Sequence, residues 1–202
     1  MKGIEKMRAF NNYDSIPEYS EVSFKLPAGA YEVEIIRAEE QNGANNSCAL
    51  CLLFDISEGE YKGFFKNKFD SDRKSFPGKA KYKGVLRVWY PNGGEYAESN
   101  EKRLKTTLER IKKSNNLNID FSKEWDGKAL KGCKVGMIFQ EQEYDYEGRQ
   151  GMSTQPYGVI TLEALKEGKF TLPKPKYLKG SSASQPSAGF YDEVSADDDL
   201  PF

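Results

Sequence analysis

Between Tyr31 and Tyr90 apolar residues alternate with polar ones in short bursts, and from Ser99 to Lys113 the period changes once to that of a helix. A chain written this way has few folds open to it, because period two buries one face of a strand and period 3.6 one stripe of a helix. The turn Leu26-Pro27-Ala28-Gly29 launches a strand in which Tyr31, Val33 and Ile35 share one face and Glu32 and Glu34 the other. Leu50 to Ile56 reads as a second strand, with Leu50, Leu52, Phe54 and Ile56 inward. Ser57 to Glu60 turns into a third, Tyr61 to Phe69, and Val85 to Tyr90 is a further strand segment closed by Pro91-Asn92-Gly93-Gly94. In the helix, Leu104, Leu108 and Ile111 form the apolar stripe, Ser99 is the expected N-cap, and Arg110, Lys112 and Lys113 crowd the last turn. Two more strands follow, Lys134–Phe139 and Tyr157–Leu162, joined by a long polar loop from Glu141 to Pro156. This order predicts an all-β fold, mainly β with one helix. The best fit is an OB-fold-like five-stranded barrel with the helix plugging one end, followed by a disordered acidic C-terminal tail.

Residues 61–90 are chemically unlike the rest, holding nine bases, two acids and eight aromatics. Single-stranded nucleic acid offers phosphates and unstacked base faces, which call for cations interleaved with flat rings. Read at period two, Tyr61, Phe65 and Phe69 point to the core, leaving Lys62, Phe64, Lys66 and Lys68 on a basic outer face. In the later strand Leu86, Val88 and Tyr90 point inward, so Arg87 and Trp89 point outward as a stacking platform. The segment from Arg73 to Lys83, with Lys74, Phe76, Lys81 and Tyr82, is expected to be a loop that closes over a bound strand, shaped by Pro77-Gly78. A second contact is expected in the loop between the last two strands, at Tyr144, Tyr146 and Arg149, although Glu141, Glu143, Asp145 and Glu147 beside them repel phosphate. Trp125 is expected in the core or as a cap.

Catalysis is poorly provided for. The chain has no His, so the usual triads and general bases are missing. Asp70 and Asp72 lie in a basic segment without the rigid support that a catalytic metal needs. Cys48 and Cys51 have C-x-x-C spacing, but in a strand residues three apart point to opposite faces, and with Cys133 alone beyond them they make no zinc site. The cysteines read as small buried residues of a reducing compartment. No cofactor is called for, and the chain is read as a binding protein and not as an enzyme.

The end of the chain is a different kind of feature. Gly180 to Gly189 is small and polar and reads as a leash, and Asp197-Asp198-Asp199-Leu200-Pro201-Phe202 combines three acids with two large apolar residues and a proline. Acidic tails often serve only solubility, but a solubilising tail has no reason to finish on Leu-Pro-Phe. The last 22 residues hold five of the 31 acids and no base, so the rest carries 26 acids against 30 bases, a net charge of +4. A mildly basic body thus carries an acidic appendage.

This tip resembles that of bacterial and phage single-stranded DNA-binding proteins. The body is similar to those encoded by phages of Gram-positive bacteria, in Phe10-Asn-Asn-Tyr-Asp14, Leu26-Pro-Ala-Gly-Ala-Tyr-Glu-Val33, Tyr61-Lys-Gly63, Asp126-Gly-Lys128, Leu130-Lys-Gly132 and Glu167-Gly-Lys-Phe-Thr-Leu-Pro-Lys174. The resemblance implies an OB fold, sequence-tolerant binding of single-stranded DNA, and recruitment of replication or recombination proteins through Asp197, Asp198, Asp199, Leu200, Pro201 and Phe202. The expected organisation is a binding domain over 1–178, a linker over 179–191 and a docking tip over 192–202. With no leader-like stretch in Met1 to Arg8 and no membrane-length apolar run, a cytoplasmic location is expected, the host's cytoplasm for a phage protein. No membrane partner is expected, and the family's tetrameric assembly does not carry over, which leaves a homo-oligomer open. The competing reading is a protein-recruiting adaptor or recombination mediator with weak or indirect DNA binding.

Overall fold

A computed structural model describes residues 25–43, 47–146 and 148–178. Five antiparallel strands form one sheet: β1 (Gly29–Asn42), β2 (Cys48–Ile56), β3 (Val85–Trp89), β4 (Lys134–Tyr146) and β5 (Arg149–Ile160), in the order β3-β2-β1-β4-β5. The alternations read from sequence place their side chains as expected. Val33 and Ile35 of β1, Leu50, Leu52, Phe54 and Ile56 of β2, and Leu86 and Val88 of β3 are buried in one core, with Val135, Met137 and Phe139 of β4. The sheet stays open, with β3 and β5 as its edges.

Helix α2 (Ala97–Asn115) lies between β3 and β4 in the chain and buries Thr107, Leu108 and Ile111. It begins two residues before Ser99, whose hydroxyl donates to the Tyr96 carbonyl and caps no amide. Asn116, in the left-handed region at φ 50°, ends it. Arg103 and Arg110 reach from α2 to β5 and donate to the carbonyls of Tyr157 and Val159, at 2.7 and 2.6 Å. These two carbonyls lie two residues apart on β5, so α2 grips the strand at successive positions of one register. A small cavity lined by Leu86 of β3, Thr107 of α2 and Tyr157 to Val159 of β5 brings the two edges near each other.

Two expectations need correction. The segment Tyr61–Phe69 is no strand: helix α1 spans Phe64–Ser75. Nor is 141–156 a loop, because β4 and β5 run on as a two-stranded arm past the last β1 pairing, Gly29 with Phe139, to the Tyr146–Arg149 pair. A 3₁₀ turn (Gly127–Leu130) and helix α3 (Leu162–Glu167), capped by the Thr161 hydroxyl, complete the described elements. No described helix is long and apolar enough to cross a membrane.

Helix α1 forms through a remote cap. Its own N-cap, Gly63, has no side chain, and the Asp55 carboxylate at the end of β2 accepts from the amides of Phe65 and Lys66, both at 3.0 Å. An anion there meets both the unpaired amides and the positive end of the helix. Phe65 then inserts into the core, edge-on to Phe54 and stacked on Phe139. Gly84 is fixed by the same packing, since a Cβ there would strike the Phe54 carbonyl oxygen and the Phe65 ring.

Candidate nucleic-acid interface

With α1 a helix, the basic residues of 61–75 no longer line one face of a strand. Lys62 sits in the turn before α1, and Lys66 pairs with Asp70 at 2.6 Å on the exposed side. Lys68 is half-buried and lies 3.5 Å from Asp72. Arg73 and Lys74 form the exposed last turn, and Phe76 is the C-cap residue, 63 % exposed. Phe64 is turned the opposite way from expectation: half-buried against the core cluster, it makes edge-to-face contacts with Tyr61 and Phe65.

The expected closing loop is shorter and less free than its sequence implies. Tyr82 donates its hydroxyl to the Phe54 carbonyl at 3.0 Å and packs against Phe69. Burial, and then the nearby Asp55 carboxylate, push its pKa well above the ordinary tyrosine value, so it stays a donor. It is a structural ring and not a stacking one. Lys81 and Lys83 on either side of it are exposed.

Between α1 and β5 lies a groove of about 500 Å³. Its cationic lining is Lys25, Lys68 and Lys83, its rings are Phe64, Phe65 and Tyr144, and no carboxylate is among its described lining residues. Leu26 and Phe65, both buried, lie at its base, and Met152 to Gln155 form the β5 wall. Lys25 comes within 3.8 Å of Glu141, while Lys83 makes no ion pair with a described residue. The sequence reading found Phe64, Lys68, Lys83 and Tyr144 but not that they meet, and it missed Lys25 altogether. Only the tertiary approach of α1 to the arm makes them one site.

The arm separates its acids from its tyrosines, but Met152 and Thr154 of the groove wall pair with Glu143 and Glu141 and so share the face of the acids. Register pairs Tyr144 with Gly151 and Tyr146 with Arg149, which puts both tyrosines and the arginine on one face. Glu141, Glu143 and Asp145, one residue out of phase, take the other face. The acids are also engaged there: Asp145 accepts from Gln150, and Glu143 from the Leu178 amide. The Tyr144 ring lies across Gly151, where a Cβ would stand 2.8 Å from its hydroxyl oxygen, and so reaches the groove. Tyr144 and Tyr146 are 43 % and 67 % exposed.

Arg87 and Trp89 occupy a second surface and point outward as expected. Paired across from Cys51 and Ala49, they leave these two small residues buried beneath the outer face. Burial raises the Cys51 thiol pKa above its ordinary value, partly offset by the Arg87 charge. Trp89 rests one edge of its ring near Gly43 and remains 40 % exposed. This surface is mixed in charge, since Glu39 pairs with Cys51 on the same face and binds Arg37. Trp125, edge-on to Phe121, packs against the core. The docking tip, Asp197 to Phe202, lies outside the described residues.

The chain matches no protein-family model and no curated protein sequence, so the reading of these surfaces rests on their own chemistry.

Proposed function

We propose that this protein binds single-stranded DNA without sequence preference, in the groove between α1 and the β4–β5 arm and along the tyrosine face of that arm. The observation that carries the reading is the makeup of the groove: three lysines and three rings, one of them the buried Phe65, around about 500 Å³, with no carboxylate among the described lining residues. Cations there neutralise phosphates with release of counterions, and the rings of Phe64, Tyr144 and Tyr146 offer stacking surfaces that tolerate any base. Arg87 and Trp89 make a second, weaker contact surface. The barrel reading of the fold goes with this function. The OB fold is a partly open five-stranded barrel, and the nearness of β3 and β5 at the α2 seam favours it over a flat sheet. Recruitment of replication or recombination proteins falls to Asp197–Phe202, beyond the linker over 179–191. The protein acts in the cytoplasm, in the host's if phage-encoded.

The test is fluorescence anisotropy of a labelled poly-dT oligomer, against duplex of equal length, at two salt concentrations. Tight, salt-sensitive binding to the single strand alone is expected. The Lys68→Glu/Lys83→Glu variant should lose at least tenfold in affinity, because each reversal replaces attraction for a phosphate by repulsion. Trp89→Ala should lose less than the groove variant. Absence of binding by the wild-type protein at low salt would leave the adaptor reading in possession of the field.

A further inference from the structure

The described chain ends with a segment that the reading above does not use. After α3, Gly168 in the left-handed region stops the helix, and residues 169–178 run back along the arm. There the free edge of β4 beyond its last β1 partner is taken up by this segment in parallel. The Lys176 amide donates to the Glu141 carbonyl at 2.9 Å, and the Glu143 amide to the Lys176 carbonyl at 2.8 Å. The buried Gln140 side chain donates to the Lys174 carbonyl at 2.6 Å, and the Leu178 amide to the Glu143 carboxylate. Gln142 is thereby the partner of Lys176.

Paired residues in neighbouring strands project to the same side of a sheet, and so do residues two apart in one strand. Lys176 therefore shares the side of Gln142, Tyr144 and Tyr146, and Lys174 joins it. Both lysines are exposed. The face that results spans three strands and contains Tyr144, Tyr146, Arg149, Lys174 and Lys176. Its remaining members between 140 and 155 are Gln140, Gln142, Gly151, Ser153 and Gln155, none of them acidic.

We infer that residues 173–178 form the third strand of the DNA-binding arm, and that Lys174 and Lys176 contact the phosphates of a strand lying on its tyrosines. The inference rests on the single-stranded DNA reading and extends it to residues for which composition offers no signal. The two prolines, Pro173 and Pro175, flank Lys174 and lack amides, so the backbone-to-backbone bonds of the segment to β4 run through Lys176 and the sheet cannot extend further at those positions. A narrow cationic edge is what they leave.

The experiment compares full-length wild-type protein with Lys174→Gln/Lys176→Gln, measuring poly-dT binding from about 50 to 300 mM salt, with Lys102→Gln/Lys123→Gln as a variant of equal net charge. Hydrogen exchange at the Glu143 and Lys176 amides reports whether the segment stays paired. The expected result is retained protection and a plot of log affinity against log salt that is shallower by about 1.4, close to 0.7 for each lost phosphate contact. The control should keep the wild-type slope. An unchanged slope in the arm variant, or an equal change in the control, overturns the inference while leaving the DNA-binding reading intact. Failure of the wild-type protein to bind poly-dT removes that reading and this inference with it.

Discussion

Glu32 and Lys134 meet across 102 residues of chain at 2.9 Å, with the Ser57 hydroxyl on the same carboxylate oxygen. Burial opposes ionisation of Glu32, but these hydrogen bonds and the lysine charge outweigh it and hold its carboxyl below the ordinary value of 4.5. Because the folded pKa is lowered, the stability this group confers is complete above about pH 4.5 and is lost as pH falls through its folded value. Glu32→Gln should therefore reduce unfolding free energy near neutral pH, with the difference from wild type closing toward about pH 2 in urea titrations. A gap that persisted in acid would mean that packing and not charge is at stake. Alternation in the sequence had already put Glu32 opposite Val33, but nothing local announces a partner a hundred residues away. Phe64 shows the converse. Its neighbours suggested an outward ring on a strand, and only the helical turn reveals that it leans on Tyr61 and Phe65.

At the level of elements, the strands β1, β2 and β3 were legible because their large apolar side chains recur at a two-residue period, even though β2 also buries the small Ala49 and Cys51 of its other face. Helix α1 was not. Phe65 and Phe69 fit a strand face at i, i+4 as well as a helix face, and lysine alternates with other residues over 62–68 under either reading. The Lys66–Asp70 and Lys68–Asp72 pairs at i, i+4 favour a helix, but such pairs contribute only a few tenths of a kcal/mol. What decides is Asp55, a cap supplied from another element. Asp55→Ala should destabilise the protein by about 0.5–2 kcal/mol, the range for a lost helix cap, and thermal melts would register it. Asp55→Asn, which keeps one acceptor oxygen, should cost less. The arm was illegible for a different reason: its residues are polar on both faces, so no hydrophobic period marks it, and pairing with a neighbouring strand is its only structure. The groove inherits both difficulties, since one wall is α1 and the other is β5.

For the molecule as a whole, sequence reading foresaw a mainly β fold with a helix before its last two strands, but it expected a five-stranded barrel, whereas the antiparallel sheet leaves β3 and β5 unpaired to each other. Closure depends on the angle at which distant strands meet, which no segment encodes by itself. Charge balance at this scale yields a further expectation. With five acids and no base in residues 181–202 and a body of net +4, the proposed function makes the tail an expected competitor for the same cations that would hold DNA. Removing residues 192–202 should tighten poly-dT binding at low salt, with the effect fading as salt screens both interactions. It should also abolish capture of partner proteins. Unchanged affinity in the truncated protein would end the self-competition idea.

The ladder between β1 and β4 has a consequence for how the chain reaches this state. β1 with β2 and β4 with β5 are near neighbours in sequence and close short loops, whereas Glu32 with Lys134 and Leu26 with Thr154 join points 102 and 128 residues apart. Loop closure entropy must be met before such contacts return anything. The two halves can therefore gain local structure early, and their union along β1 and β4 is the natural bottleneck. Substitutions in that ladder should therefore slow folding, while those in the arm should chiefly hasten unfolding, which stopped-flow folding and unfolding rates would show.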